Sequence, residues 1–255
     1  MVLSMERWKD KIAVVTGASS GIGASVADAL VEQGLTVVGL ARRVDRIKER
    51  STHLSNKKGK LHGVKVDIRK ENEIVDAFKW IMENLGSVHI LVNCAGCSTE
   101  ALLTEGNTED WKRIFDVNVL GLCVATRQAV NIMKSNYING HIIHINSILG
   151  HSIQNVSKVN VYPASKFAVT ALTETLRQEL NTLGSKIKIT SISPGLVVTE
   201  MTLLNKNFTE ERRKAFESRP TLNVEDVADG VVYVLSTPEH VQVHELTIKP
   251  IGEPC

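Results

Sequence analysis

The chain has 255 residues, 43% hydrophobic and 23% charged, with a formal net charge of +2. That is enough for one large α/β domain or two small ones, whose core needs neither disulfides nor metals. So small a net charge excludes a global field for nucleic acid or a membrane surface, and confines any basic patch to a local one.

The 4 cysteines, Cys94, Cys97, Cys123 and Cys255, form no disulfide framework, which fits a reducing compartment and predicts a cytoplasmic protein. The first ten residues hold Glu6, Arg7, Trp8 and Lys9 and read as no signal peptide. No apolar run reaches the ~18 residues that a membrane span requires. The final Gly-Glu-Pro-Cys matches no peroxisomal or prenylation signal.

Short apolar runs alternate with helix-like stretches. Ile12–Thr16 is a β-branched strand, followed by the turn Gly17–Gly23 and a helical pattern through Val31. Leu35–Leu40 and Leu61–Val66 are the next strands, and Glu71–Asn84 a helix. His89–Asn93 is a strand, Thr108–Lys134 a long helix, His141–Asn146 a strand and Tyr162–Thr182 a helix. Lys188–Ile192, a helix at Val224–Leu235 and a short strand at Glu245–Ile248 complete the chain. This alternation predicts a single α/β domain over 1–255, a doubly wound parallel sheet of Rossmann type with helices on both faces. Its ligand should lie at the carboxyl ends of the strands. The polar stretch Glu200–Pro220 reads as a variable substrate loop with short helices over that end.

The first strand ends in Thr16-Gly17-Ala18-Ser19-Ser20-Gly21-Ile22-Gly23. Glycines permit a tight turn and let backbone approach a pyrophosphate, which the N–H groups opening the next helix then face. The spacing is G-x-x-x-G-x-G, and on its own such a turn is also a plain strand-to-helix connection. Its place after the first strand of a β-α-β series favours a nucleotide, with Gly17, Ser19, Ser20, Gly21, Ile22 and Gly23 around the phosphates. An NAD site usually has Asp or Glu at the end of the second strand, for the ribose 2′-hydroxyl. Here Ala41 is followed by Arg42 and Arg43. Two guanidinium groups suit a 2′-phosphate, so NADP(H) is the predicted cofactor, although Arg46, Lys48 and Arg50 would also fit a solvated basic loop. Asp67, after the third strand, is a candidate partner for the adenine amine; an Asp there is also a common turn or cap residue.

Tyr162-Pro163-Ala164-Ser165-Lys166 sets a phenol and an ammonium one helical turn apart on one face. A free tyrosine, with a pKa near ~10, is a poor base at neutral pH, and a neighbouring cation favours its phenolate. Such a pair can exchange a proton with an alcohol oxygen while hydride leaves or reaches its carbon. Ser147, after the His141–Asn146 strand, could hold the same oxygen, although a turn serine is the commoner reading. Asn118, an amide among apolar helical residues, needs partners. Its functional reading is a helix kink with a water leading to Lys166.

Taken together, TGASSGIG, Asn93-Cys94-Ala95-Gly96, Asn118, Ser147, YPASK and Ser193-Pro194-Gly195-Leu196-Val197-Val198-Thr199 resemble the short-chain dehydrogenase/reductase family, in its order and over nearly the whole chain. The resemblance implies a catalytic tetrad of Asn118, Ser147, Tyr162 and Lys166. It implies cofactor contacts at Ile68, Asn93, Cys94, Ala95, Tyr162, Lys166, Pro194, Val197 and Thr199, with Val197 and Thr199 holding the nicotinamide amide. The arginines match its NADP-preferring members. MERWKDKIAVVTGASSGIG, TALTETLRQEL and EDVADGVVYVLSTPEHVQV resemble the dehydrogenase/reductase member 11 group, which includes insect farnesol dehydrogenases. That implies a lipophilic substrate, a farnesol-like isoprenoid alcohol and its aldehyde first, a hydroxysteroid or xenobiotic carbonyl next. It also implies a homo-oligomer, dimer or tetramer. Two departures stand out. Cys94 replaces the family's second Asn, which puts one side-chain contact near the ribose in question. The Ser147–Tyr162 interval is about two residues longer than usual, which implies a longer substrate loop from Leu149 to Val161.

Other signals carry less. Cys94-x-x-Cys97 lacks the two further ligands of a zinc site, and a redox dithiol there is the minor reading. His141 and His144, three apart on a strand, point to opposite faces, so no metal is predicted. A protein that binds the nucleotide without chemistry is the rival from another class, and the complete tetrad argues against it. The two loops that should wall the substrate pocket carry Leu149, Ile153, Val156, Val159 and Val161, and Met201, Leu203, Leu204, Phe208 and Phe216. Such side chains favour apolar ligands.

Overall fold

The computed structural model describes residues 3–153, 158–203 and 218–253. Seven strands form one sheet: β1 (Ile12–Thr16), β2 (Thr36–Ala41), β3 (Lys60–Lys65), β4 (Val88–Asn93), β5 (His141–Ile145), β6 (Lys188–Pro194) and β7 (Glu245–Ile248). Their order is β3-β2-β1-β4-β5-β6-β7 and every neighbouring pair is parallel. The predicted fold class is therefore the observed one, with strand ends moved by a residue or two. The order reverses between β1 and β4, and the crevice at their carboxyl ends is where such sheets take ligands.

Among the described residues the helices are α1 (Gly21–Glu32), α2 (Val44–His53), α3 (Glu71–Asn84), α4 (Thr108–Phe115), α5 (Leu122–Ser135), α6 (Tyr162–Thr182), the short α7 (Glu200–Leu203) and α8 (Val224–Ser236). Every residue of β1, β5 and β6 is buried, as expected of strands covered on both faces. Alternation along the strands builds two cores. Ala13, Val15, Val37 and Ile143 pack with Val26, Leu30 and Val31 of α1 and Val227, Val231 and Val234 of α8. Val14, Val38, Leu91, Ile142 and Ile189 pack with Ile74, Phe78 and Ile81 of α3 and Ala125, Ala129 and Met133 of α5. Trp8 Nε1 donates to the Leu235 carbonyl at 2.8 Å, which ties the first residues to the end of α8. Among the described residues, no helix is long and apolar enough to cross a membrane.

Two expectations needed correction. The basic stretch after Arg43, for which a solvated loop was the alternative reading, is helix α2. Its one buried residue is Ile47, too little to create a visible period in the sequence. Gly39 and Gly63 make room for it: a Cβ on either would lie within 3.2 Å of the Ile47 side chain. The long helix predicted over Thr108–Lys134 is interrupted by a π-helical turn at Asp116–Gly121. Much of the Glu200–Pro220 loop, with Leu204, Phe208 and Phe216, and Val156 of the other loop, fall outside the described residues.

Candidate active site

The floor of the crevice is a junction of β1 and β4. The Thr16 hydroxyl accepts from the backbone N–H groups of both Cys94 and Ala95, each at 3.0 Å. That draws the Asn-Cys-Ala-Gly segment against the glycine turn so closely that a Cβ on Gly17 would sit 2.8 Å from Ala95 Cα. A Cβ on Gly23 would meet the Gly17 carbonyl oxygen at 2.6 Å. Gly17 and Gly21 both have positive φ, 71° and 56°, which a β-carbon disfavours. Helix α1 then begins with no side-chain cap and no acidic residue in its first turn. An uncapped helix N-terminus behind a glycine turn, with Ser19 and Ser20 beside it, fits the pyrophosphate of a dinucleotide.

Arg42 and Arg43 lie exposed beyond β2. Arg43 Nη2 donates to Ser20 Oγ at 2.7 Å and pairs with Glu200 at 2.8 Å, and Arg46 of α2 also bonds Glu200. Glu200 had no place in the sequence reading, since nothing in a polar loop singles it out. Asp67 is gripped by Arg69, whose Nε lies 2.9 Å and Nη2 2.5 Å from its two oxygens. Those bonds hold its carboxyl at about 2. Ile68 packs its carbonyl against the position of Gly121.

The segment after β6 returns over the turn. Thr199 lies 3.5 Å from where a Cβ on Gly21 would be. Backbone bonds between Val198 and Leu222 and between Leu222 and Leu196 fix Val197, which is buried. Glu253 also holds this segment by accepting from Leu196 N at 2.8 Å. A Cβ on Gly195 would crowd that carboxylate. Pro194 ends β6 beneath it.

The four tetrad candidates come together at the carboxyl ends of β4 and β5. Ser147 follows β5, caps the short turn Ile148–Gly150 by accepting from Leu149 N at 3.1 Å, and lies close enough to the Tyr162 hydroxyl to favour its ionised form. Lys166, one turn along α6, sits 5.8 Å from the Tyr162 ring centroid. Its Nζ donates to the Ile145 carbonyl at 2.9 Å. Asn118 stands in the π-helical turn and is 2% exposed. Its Oδ1 accepts from Cys97 N at 2.9 Å, and its Nδ2 donates to Cys97 O at 3.1 Å and to Ser165 Oγ at 3.0 Å. Asn118 therefore clasps the Asn93–Cys97 segment to the first turn of α6. The sequence reading missed Ser165 in this role, although it lies within YPASK.

Burial decides the protonation states. Part of the Tyr162 ring remains exposed, yet desolvation around the hydroxyl pushes the phenol up to about 12 against the Ser147 hydrogen bond. The expectation that the neighbouring ammonium would prevail is thus reversed: the Lys166 nitrogen points at a carbonyl, and burial wins. The same desolvation brings Lys166 down to about 8. Cys94 and Cys97 are free thiols raised by burial, Cys94 to about 12, so neither is a thiolate.

Beneath the site lies a buried polar layer. His144 meets Thr173 Oγ1 at 2.9 Å through Nδ1 and Thr126 Oγ1 at 3.3 Å through Nε2. Asn93 donates to the same Thr126 hydroxyl at 2.9 Å. His141 turns to the other face, where it meets Thr190. The two histidines do point apart, and among the described residues no group of three metal-ligating side chains occurs.

A family model described as short chain dehydrogenase matches residues 11–210. The chain belongs to the short-chain dehydrogenase family. It is 48% identical to a farnesol dehydrogenase of Aedes aegypti over 98% of this chain and 99% of the relative. It is 44% identical to dehydrogenase/reductase SDR family member 11 of Homo sapiens, over 96% of each chain. Among solved structures, the closed form of a serine dehydrogenase complexed with NADP+ superposes with a TM-score of 0.87 at 30% identity, over 96% of each chain. An alcohol dehydrogenase of Thermococcus sibiricus complexed with 5-hydroxy-NADP gives 0.84 at 24% identity over 96% of this chain and 98% of that one, a likeness of fold. As a short-chain dehydrogenase, the chain is an oxidoreductase with a nicotinamide-dinucleotide fold.

The buried layer makes this fold acid-sensitive. Desolvation lowers His144 from 6.5 to about 3. Between those values the unfolded chain binds a proton that the folded chain does not, so stability falls as pH falls through that window. Urea midpoints should drop between pH 7 and pH 5, with His144 contributing about 2 kcal/mol. His144→Gln should narrow the difference; an unchanged difference would mean that the histidine takes its proton inside the fold.

Proposed function

We propose that this short-chain dehydrogenase transfers hydride between NADP(H) and a lipophilic alcohol/carbonyl pair, with Tyr162 exchanging the proton. The observation that carries the reading is the Ser147, Tyr162 and Lys166 cluster at the carboxyl end of β5, with Lys166 5.8 Å from the Tyr162 ring centroid. When bound, the nicotinamide supplies or accepts the hydride, and its oxidised form adds a positive charge that favours the phenolate. Ser147 holds the substrate oxygen beside the phenol. The phenol, protonated at neutral pH, donates to a carbonyl oxygen; in the oxidation direction it takes the proton back. Lys166, charged below about 8, favours the phenolate form by its field and steadies the floor through Ile145. Asn118 positions the segment and the first turn of α6. Val197 and Thr199 would hold the nicotinamide end, and Ile68, Asn93, Cys94 and Ala95 the ribose and adenine side. Asp67 would take part at the adenine only through acceptor sites that Arg69 leaves free.

NADP(H) is favoured over NAD(H) because Arg42 and Arg43 stand where an acidic residue would bind a ribose hydroxyl. The lipophilic substrate is supported by the name of the Aedes aegypti relative and by the apolar side chains around the site. Ala101 pairs with Val159, so the segment carrying Leu102 and Leu103 lies against the end of the Leu149–Val161 loop. Leu102, Leu103, Ile153 and Met201 all leave large apolar surface exposed. A farnesol-like isoprenoid is the first candidate and a hydroxysteroid the second. A homo-oligomer in the cytoplasm remains the expectation for the assembly.

Tyr162→Phe should lower turnover by about 10²–10⁴-fold, the usual worth of a general acid/base, while cofactor binding by calorimetry persists. A variant retaining more than about a tenth of the wild-type rate would show that another group moves the proton. Replacing Arg42 and Arg43 together with Gln should weaken NADPH at least about tenfold, with NADH little affected. Equal losses for the two cofactors would overturn the NADP assignment. Across a homologous series of alcohols ending in farnesol and a hydroxysteroid, kcat/KM should rise with chain length, each buried methylene being worth about 0.8 kcal/mol. A flat series, or preference for a charged or sugar-like alcohol, would sink the lipophilic reading.

A further inference from the structure

Glu200 is the first residue of α7 and directly follows Thr199, so its backbone belongs to the segment that returns over the glycine turn. Its carboxylate nevertheless reaches across the crevice mouth to β2 and α2, where it bonds both Arg43 and Arg46. Arg43 Nη2 has two hydrogens. It donates to Ser20 Oγ at 2.7 Å, and the same nitrogen is ion-paired with Glu200 at 2.8 Å. The guanidinium that a ribose phosphate would take is therefore already paired with a carboxylate of the protein itself. Arg46 is engaged by the same group. Arg42 is exposed, and its charge acts on Asp67.

We propose that Glu200 is a specificity-determining counter-anion: it occupies the site that the 2′-phosphate of NADP(H) takes and must be displaced when that phosphate binds. The inference rests on the NADP reading of Arg43 and deepens it. A 2′-phosphate carries more charge than a carboxylate and three strong acceptor oxygens, so it wins the guanidinium. Two anions cannot share that edge without repulsion, so Glu200 leaves. NAD(H), whose ribose hydroxyl brings no charge, leaves the Glu200 pairs intact. Glu200 thus subtracts from NADP(H) affinity and not from NAD(H) affinity. Because it adjoins Thr199, the adenosine phosphate and the nicotinamide end are linked through one short stretch of chain. The ion pair is partly exposed, with side chains 47% and 34% accessible, so the penalty is moderate.

The probes are adenosine 2′,5′-bisphosphate and adenosine 5′-monophosphate, which differ only in the 2′-phosphate and involve no nicotinamide. Their dissociation constants are measured by calorimetry on the wild type, Glu200→Gln and Glu200→Ala. Both variants should bind the bisphosphate about fivefold more tightly than wild type, the change expected for an exposed ion pair. The monophosphate should stay within about twofold, as it never meets the 2′ site. If the wild type prefers the bisphosphate but neither variant gains, the counter-anion is refuted and the NADP reading stands. If the variants bind the bisphosphate more weakly, Glu200 orients the arginines instead of competing for them, which also refutes it. If the wild type shows no preference for the bisphosphate, the NADP reading fails and this inference falls with it.

Discussion

Two hydrogen bonds to one oxygen set the geometry of the crevice. By accepting from Cys94 N and Ala95 N, the Thr16 hydroxyl fastens the ends of β1 and β4 at the place where the strand order reverses. A backbone drawn that close leaves no room for a β-carbon at Gly17. The same closeness lines up the uncapped start of α1 with the segment that leads to Cys97. Cys97 is in turn clasped by Asn118, and Asn118 by Ser165 on α6. The cofactor side and the tyrosine side of the site are thus one hydrogen-bonded chain of contacts, so their spacing is held by short side chains and the backbone they bond, instead of by long flexible side chains.

Within that frame the chemistry is governed by desolvation. Among the described residues, Lys166 is a buried cation with no carboxylate partner, and it donates to the Ile145 carbonyl at 2.9 Å. A carboxylate partner would hold the ammonium firmly charged and would compete with the phenol for its field. The arrangement instead leaves Lys166 near 8 and Tyr162 near 12. On the proposed reading, both groups respond to the charge that arrives with the cofactor.

The sheet, its order of elements and the neighbourhood of Tyr162 and Lys166 were legible because each rests on a local pattern: β-branched runs, a glycine turn, a phenol and an ammonium one helical turn apart. What escaped was fixed by partners distant in sequence. Helix α2 offers Ile47 alone to the core, and the glycines that receive it lie on two other strands. Glu253 supports Leu196 from 57 positions away, and Glu200 finds its arginines 154 positions upstream or more. No periodicity announces such contacts. The phenol's upward shift was misjudged for a related reason. Spacing on a helix says that a lysine is near, but it cannot say which way the ammonium points or how much water has been removed.

The π-helical turn at Asp116–Gly121 carries one residue more than an α-helical path would need. An α-helix advances about 100° per residue, so α4 and α5 are out of phase by about that angle, and a single apolar stripe cannot run along both. The stripe of α5 faces the sheet with Ala125, Ala129 and Met133, while α4 buries Ile114 on a heading of its own. Deleting one residue in the turn would merge the two into a regular helix and swing the whole of α4 around its axis. Asn118 would leave Cys97 although no residue of the tetrad had been changed. The identity of this site is thus written partly in a count of residues, and a shift in that count is a mutation that no comparison of side chains would flag.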